Sequence, residues 1–494
     1  MNTHYWMHLK VETLRSSVGG GETIPKGFME KLLDEQKLKY CLECGACTAS
    51  CPVAEVLPNY YNPRSLVDKI FFDPERALME DQLWLCAWCY RCYERCPQGV
   101  RLPEIFASIK SLATERGIFQ GFREAVELIK KEVPLPAVCS QVCFHFERGN
   151  FDEFLVTNTL KSFVEDYELK KREVLVPKAR EEKIAIVGSG PAGLTAAYEL
   201  VKKGYVVTIF EALSEPGGML RVGIPGYRLS KDSLDAEIAY LQSQGVEIRT
   251  AVSIGKDLMM DDLTQKGYKA IFIATGAHKS RELHIEGEGL SDVFHALDLL
   301  GKINMGKKVK LGNRVGIIGG GNVAVDVART ALRLGSKKVV ILYRRSREEM
   351  PANPWEVKEA EKEGVEIQFL TAPKRVLGED KVTGIECIRM TLGEPDETGR
   401  RRPIPIEGSE YILQLDTVIL AVGESPDISL LPQGIEVNEN NTAVCSPVTL
   451  ETSLPGVFAG GDVVTGPATV IEAIAAGRKA ALYIDRYIRG EHVE

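Results

Sequence analysis

Twelve cysteines stand in this 494-residue sequence, and eight of them fall between Cys41 and Cys96. They form two copies of one spacing: Cys41-x-x-Cys44-x-x-Cys47-x-x-x-Cys51-Pro52 and Cys86-x-x-Cys89-x-x-Cys92-x-x-x-Cys96-Pro97. Three closely spaced thiolates can wrap one cubane cluster, while the fourth, followed by proline, is turned toward the other cluster. The spacing predicts two 4Fe–4S clusters with crossed ligation. Cys41, Cys44, Cys47 and Cys96 hold one, and Cys86, Cys89, Cys92 and Cys51 hold the second. Zinc is the competing reading, since Cys-x-x-Cys pairs also build zinc ribbons. It does not explain two regular sets that each end in Cys-Pro. Trp84 and Trp88 stand on either side of Cys86, the first cysteine of the second set. Such aromatics more often exclude solvent, which tunes potential, than carry electrons.

Two glycine loops supply a second kind of chemistry. Gly188-Ser-Gly190-Pro191-Ala192-Gly193 follows the buried-strand pattern 184–187 and leads into a helical run, Leu194 to Leu200. In that setting the glycines let backbone N–H groups approach a pyrophosphate at a helix N-terminus. The next strand, 206–210, delivers Glu211, suited to a ribose hydroxyl pair. Gly319-Gly320-Gly321-Asn322-Val323-Ala324 repeats the logic after strand 315–318. At the end of its following strand, 339–342, the chain has Arg344 and Arg345 where an NAD site would place an acid. Paired guanidinium groups there match a 2′-phosphate through forked, charge-assisted hydrogen bonds, which favours NADP(H) over NAD(H).

Longer stretches carry resemblances. Cys41-Leu-Glu-Cys44-Gly-Ala-Cys47, Tyr61-Asn62-Pro63-Arg64, Leu83-Trp84-Leu85-Cys86 and Arg95-Cys96-Pro97-Gln98-Gly99-Val100 resemble the iron–sulfur ferredoxin-type subunit of heterodisulfide reductase, over about residues 35 to 112. That resemblance implies a helical two-cluster ferredoxin. The segments Glu215-Pro216-Gly217-Gly218-Met219-Leu220-Arg221, Gly223-Ile224-Pro225, Ala274-Thr275-Gly276, Ala421-Val422-Gly423 and Gly460-Gly461-Asp462 are similar to the flavin-binding signatures of glutamate synthase small subunits and their NADPH:ferredoxin transhydrogenase relatives. Here the resemblance covers about residues 115 to 494 and assigns the first loop to FAD and the second to NADP(H). It implies that Asp462 serves the ribityl and pyrophosphate region. It also implies that the helix after Ala468 and Thr469 aims its N-terminus at the isoalloxazine. The pair Cys139 and Cys143, with Leu160 to Tyr167 after it, matches the N-terminal region of the same small subunits. The further cysteines of that cluster set are missing, so the site is degenerate. Two buried cysteines in a packing role are the simpler reading.

Cofactors would do the chemistry: hydride exchange between nicotinamide and flavin, then single electrons to clusters. No general base or nucleophile is required, so no side-chain catalyst is assigned. The seven histidines show no metal spacing, and His278 and His284 read as surface or turn residues. No cysteine lies between Cys143 and Cys387, so neither nucleotide region carries the redox-active pair of a disulfide reductase. Cys387 and Cys445 are single and read as structural.

These groups need elements to position them. The expected architecture is multidomain: an α-helical ferredoxin domain, then two α/β Rossmann-like dinucleotide-binding domains. The expected divisions are 1–113 for the cluster domain and 114–182 for a helical connection broken at Pro134-Leu135-Pro136. Residues 183–290 with 430–494 make an FAD domain, interrupted by an NADP(H) domain at 291–429. Residues 1 to about 33 read as a loose opening, with Gly19-Gly20-Gly21 in it. The net charge of −8 exerts no pull on nucleic acid or anionic membrane. No apolar run suggests membrane insertion and no signal pattern is seen, so a reducing, cytoplasmic setting is expected. The leading expectation is a subunit that exchanges electrons with other redox subunits or ferredoxin, as in an electron-bifurcating transhydrogenase. The input subunit of a glutamate synthase and a non-enzymatic iron–sulfur adaptor are the alternatives.

Overall fold

The computed structural model describes residues 24–144, 180–396 and 400–491. Gly19 to Gly21 and the segment Leu160 to Tyr167 lie outside the described residues. The opening is less loose than its composition suggests: Lys26–Asp34 is a helix whose Leu32 is fully buried. One apolar side chain at the right spacing anchors an otherwise polar helix to the core beside it.

The cysteine-rich region is a cluster of short helices around a core that includes Leu66, Ile70, Trp84, Ile105 and Ile109. The longest of them is α1, Leu102–Glu115, started by proline in its first turn. Within the expected connection of 114–182, Gln120–Glu132 is a helix and the chain then breaks at Pro134-Leu135-Pro136, while residues 145–179 lie outside the described residues. Leu135 takes a left-handed conformation there, and a π-turn, Cys139–Cys143, follows.

From residue 183 onward, parallel sheets take over. The first has strands 457–459, 268–273, 183–187, 206–210 and 247–249 in that spatial order, all parallel. Its central strand, Lys183–Val187, is buried over its last four residues, as a strand covered on both faces must be. Helix α2, Pro191–Val201, leaves it through the first glycine loop. The second sheet has strands 293–295, 417–420, 314–318, 338–342 and 366–368, again all parallel. Its glycine loop opens α3, Asn322–Arg333, and α4, Pro354–Lys362, packs beside it. An antiparallel group, 371–378 with 382–395, 401–405 and 411–414, is inserted before the strand at 417–420. The chain then returns to the first sheet and ends in the 19-residue helix α5, Val470–Ile488.

Helix α5 belongs to two cores at once. Ile471, Ile474 and Ala475 pack with the cysteine-rich core, whereas Ala473, Ala480, Ala481 and Ile484 pack with the first sheet. Gly477 lets it touch α2, since a Cβ there would strike the Ala192 carbonyl.

Candidate functional site: two nucleotide cradles and two cysteine loops

The first glycine loop opens onto a cavity of about 450 Å³, within the size range of small-molecule sites. It lies at the carboxyl ends of the first sheet's strands, where open α/β sheets bind ligands. Gly188, Gly190, Pro191, Ala192, Glu211, Gly218, Met219, Ala274, Thr275, Gly276, Gly461, Asp462, Ala468 and Thr469 line it. The remaining residues singled out nearby build the wall from behind. Gly188 has φ +103°, and a Cβ there would collide with the Ala274 carbonyl; one on Gly193 would strike the Gly188 carbonyl. Glu211 is held by the amides of Ser189 (3.0 Å) and Leu213 (2.8 Å), and the Gly217 amide bonds Ser189 Oγ at 2.8 Å. Arg221 is buried and turned away from the cavity, bonding the Pro216 carbonyl at 3.0 Å and pairing with Asp235. Ile224 contributes its carbonyl to Lys231 Nζ at 2.7 Å, and Pro225 starts the next turn by accepting from Arg228 and Leu229. Arg221, Ile224 and Pro225 thus shape the loop rather than face the cavity.

Burial raises the Asp462 carboxyl to about 7, with the negative charges of Glu472 and Glu424 adding to the effect, against a lowering bond from the Ala468 amide. Thr469 caps α5 reciprocally with Glu472: the Glu472 amide bonds Thr469 Oγ1 at 3.4 Å, and the Thr469 amide bonds Glu472 at 2.9 Å. Sequence reading missed Ser189, Lys279 and Asp427 on the cavity wall, and it set His278 aside as a surface residue although it lines the cavity. His284 does sit exposed, with a positive φ. Ser189 was legible from its place inside the loop; Asp427 comes from another part of the chain and left no local signal. His278 and Lys279 come two and three residues after Gly276, which was the available clue.

The second loop repeats the cradle. Gly319 has φ +139°, and a Cβ there would meet the Ala421 carbonyl as Gly188's would meet Ala274's. Gly321 caps α3, Asn322 Oδ1 accepts from the Asn353 amide at 2.9 Å, Val323 is half-buried, Ala324 is buried, and Gly423 has φ +111°. The expected arginine pair is not a pair in the structure. Successive residues beyond a strand diverge, and Arg344 is exposed while Arg345 is buried. Arg345 bonds the Arg401 carbonyl at 2.8 Å and Asp396 at 2.7 Å, committing it to the inserted antiparallel group.

The two cysteine loops share one backbone pattern. Glu43 and Gly45 have positive φ in the first, Trp88 and Tyr90 at the same two positions in the second. Each kinked loop leads into a four-residue helix, Ala46–Ala49 or Arg91–Glu94, and reaches its fourth cysteine two residues on. Cys41, Cys44, Cys47 and Cys96 line one pocket, although they come from both repeats; Cys92 also touches it. The Cys51 thiol lies electrostatically close to Cys86, and Cys89 to both. This arrangement of thiol donors fits crossed ligation of two clusters. Among the described residues no three of His, Cys, Asp and Glu converge tightly enough to hold a single metal ion. Burial pushes the Cys51 thiol up to about 12, so loading a metal centre would expel protons.

Beneath the second set lies Lys110 of α1, 1% exposed, with Nζ 5.8 Å from the Trp84 ring and 5.5 Å from the Trp88 ring. The two sites meet at α5: Arg91, beside Cys92, bonds Glu472 at 2.7 Å, and Glu472 also lies near Cys89. Trp88 contacts Trp355 of α4, with ring centroids 6.2 Å apart. Cys139 and Cys143 are buried against each other, Cys139 Sγ lying 3.5 Å from the Pro134 carbonyl, in keeping with a packing role. Cys387 is buried away from both sites, and among the described residues no cysteine lines the flavin-sized cavity. Among the described residues no helix is long and apolar enough to cross a membrane.

Comparison with known proteins gives this geometry its relatives. Residues 182–477 match the model of the pyridine nucleotide-disulphide oxidoreductase family, and residues 37–100 match the 4Fe–4S dicluster domain. The NADP(+)-dependent formate dehydrogenase subunit beta of Moorella thermoacetica is 43% identical over 431 residues, covering 81% of this chain and 60% of that protein. The NADPH-Fe(3+) oxidoreductase subunit beta of Geobacter sulfurreducens is 41% identical, covering 80% and 63%. This chain therefore spans about three fifths of the length of those two relatives. The glutamate synthase [NADPH] small chain of Azospirillum brasilense is 32% identical, covering 85% of this chain and 91% of that one. Among solved structures, Mycobacterium tuberculosis FprA in complex with NADPH superposes with a TM-score of 0.54 at 22% identity, covering 64% and 87%, and shares the fold. With two parallel sheets, two glycine cradles and a paired cysteine module ahead of them, the chain belongs to the pyridine nucleotide-disulphide oxidoreductase family and carries a 4Fe–4S dicluster domain.

Proposed function

We propose that this protein is an NADP(H)-dependent flavin and iron–sulfur electron-transfer subunit of a larger redox complex, working in the cytoplasm. In this reading residues 183–290 and 430–494 hold FAD, 291–429 hold NADP(H), and the cysteine module of 1–113 holds two 4Fe–4S clusters. When bound, these groups supply hydride exchange between nicotinamide and flavin and one-electron exchange with the clusters. The chain's own residues hold, orient and insulate. Glu211 meets a ribose, Gly188 and Gly319 let backbone amides reach pyrophosphates, and Arg344 meets the 2′-phosphate. Arg345 acts behind it by fixing the inserted antiparallel group.

The observation that carries the reading is the shared N-terminus of α5. Thr469 faces the first cavity while Glu472, one turn on, faces Arg91 and Cys89. The flavin-sized site and the second cysteine set are thereby adjacent, as electron transfer between them needs. Partners are other redox subunits or ferredoxin. The input role in a glutamate synthase is supported by the coverage of the small chain from Azospirillum brasilense. It would need a separate polypeptide for glutamate formation.

The test is reduction of an artificial acceptor by the purified chain with FAD bound. Arg344→Gln should raise KM for NADPH about tenfold, the worth of one charge-assisted hydrogen bond, and leave NADH nearly unchanged. Equal effects on both nucleotides would overturn the 2′-phosphate assignment. Iron and sulfide analysis should return about eight irons per chain, and zinc in their place would overturn the cluster reading.

A further inference from the structure

A buried lysine without a carboxylate partner needs an explanation. Lys110 sits in the interior face of α1 at 1% exposure, and among the described residues its ammonium makes no ion pair and no side-chain hydrogen bond. Burying such a charge costs several kcal/mol unless something of opposite sign compensates. The faces of Trp84 and Trp88 return part of that cost, and these residues stand two positions either side of Cys86, the first thiol of the second set. Burial pulls the Lys110 ammonium down to about 8, and the one group acting against that is Cys86; burial raises the Cys86 thiol, and among the charges acting on it the foremost is Lys110. Among the described residues the lysine is therefore without an ion-pair partner, and the cysteine its charge acts on is Cys86.

We infer that Lys110 is the residue that sets the reduction potential of the cluster held by Cys86, Cys89, Cys92 and Cys51. This rests on the cluster reading above and deepens it. A 4Fe–4S cluster on four thiolates is anionic, and taking one electron from the NADPH-reduced flavin adds one more negative charge to it. A fixed cation in a water-poor surround stabilises the reduced form more than the oxidised form, because electrostatic energy grows as the local dielectric falls. Among the described residues the first set has no counterpart. The cation beside it, Arg64, has a side chain 45% exposed and is paired with Glu43 at 3.8 Å. Glu104, earlier on the same α1, acts on Cys86 with the opposite sign. Lys110 thus biases one cluster, the one adjacent to α5, toward accepting electrons.

The experiment is a redox titration of the full chain followed by electron paramagnetic resonance, with iron content measured alongside. Lys110→Met should lower the potential of one cluster by at least the equivalent of a tenfold change in the electron-sharing equilibrium, 59 mV for one electron, and leave the other in place. Lys110→Arg, which keeps the charge, should restore most of the shift, and Glu104→Gln should move the same cluster upward. Full iron content in Lys110→Met with an unmoved potential overturns the assignment. If Lys110→Met loses iron, Lys110→Arg decides. Iron retained at a near-native potential supports a charge that holds the cluster, whereas loss in both variants makes the position one of packing and overturns it. Wild-type chain without iron and sulfide would instead sink the cluster reading itself.

Discussion

The two cysteine repeats have the same spacing and the same left-handed kinks, yet they differ in cover. Cys44 is exposed, and Cys41, Cys47 and Cys96 are only partly covered. Of the second set Cys86 and Cys92 are buried and Cys89 and Cys51 partly covered, and their surround includes two tryptophans, a buried lysine and the capped end of α5. Backbone geometry therefore specifies what each loop can hold, while the side chains around it specify what the held group does. On the proposed function, an exposed centre can exchange electrons with something outside, and one joined to the flavin-sized cavity through α5 is placed to pass them within the chain. On that reading, the two repeats would divide the labour of entry and exit.

The largest effect should come from cutting either repeat. Cys89→Ser should abolish reduction by NADPH of both sets while leaving the first set reducible by dithionite. Cys44→Ser should leave the second set reducible by NADPH and stop delivery to a partner protein. Resonance spectra of the two variants check this, and NADPH reduction of the first set in Cys89→Ser would break the comparison. A middle-sized effect concerns pH, which should mark the buried side alone. The Asp462 carboxyl is raised from 3.8 to about 7 by burial, so the folded flavin-free chain binds this proton more tightly than the unfolded chain does. Stability should then fall as pH rises from 4 to 7 and level off above, by at most about 4 kcal/mol. Asp462→Asn should flatten that slope in urea melts of the flavin-free protein, and an unchanged slope would show that the carboxyl is better solvated than its position implies. The smallest effect belongs to the ion pair of Arg91 with Glu472, whose side chains are 39% and 21% exposed. Arg91→Gln should cost less than about 1 kcal/mol, read as a small drop in melting temperature, and the drop should shrink in high salt.

Much of this was legible in the residues because the chemistry constrains local spacing. The Cys-Pro repeats, the glycine loops with their strands and helices, and Glu211 at a strand end are all short-range signals, and the structure has the strands at 183–187 and 314–318. What was not legible is long-range. Arg345 reads as a phosphate ligand until Asp396 and the Arg401 carbonyl, some 50 residues on, take its guanidinium. Asp427 reaches the first cavity from beyond the second sheet. Lys110 looks like one more helix-surface charge, since nothing local says that its face of α1 is turned inward. The helix at Lys26–Asp34 was hidden because its anchor, Leu32, depends on a core assembled later in the chain.

Helix α5 has a mechanical consequence. A single rigid rod contributes side chains to two hydrophobic cores, and Arg478 ties it to the Val56 carbonyl on one flank and to Glu199 at 3.1 Å on the other. Neither module can melt without stripping apolar cover from its neighbour, so heating should give one calorimetric endotherm rather than two. Damage to an iron centre by oxygen would then propagate as lost heat tolerance of the nucleotide-binding half, making the whole chain fail as a unit.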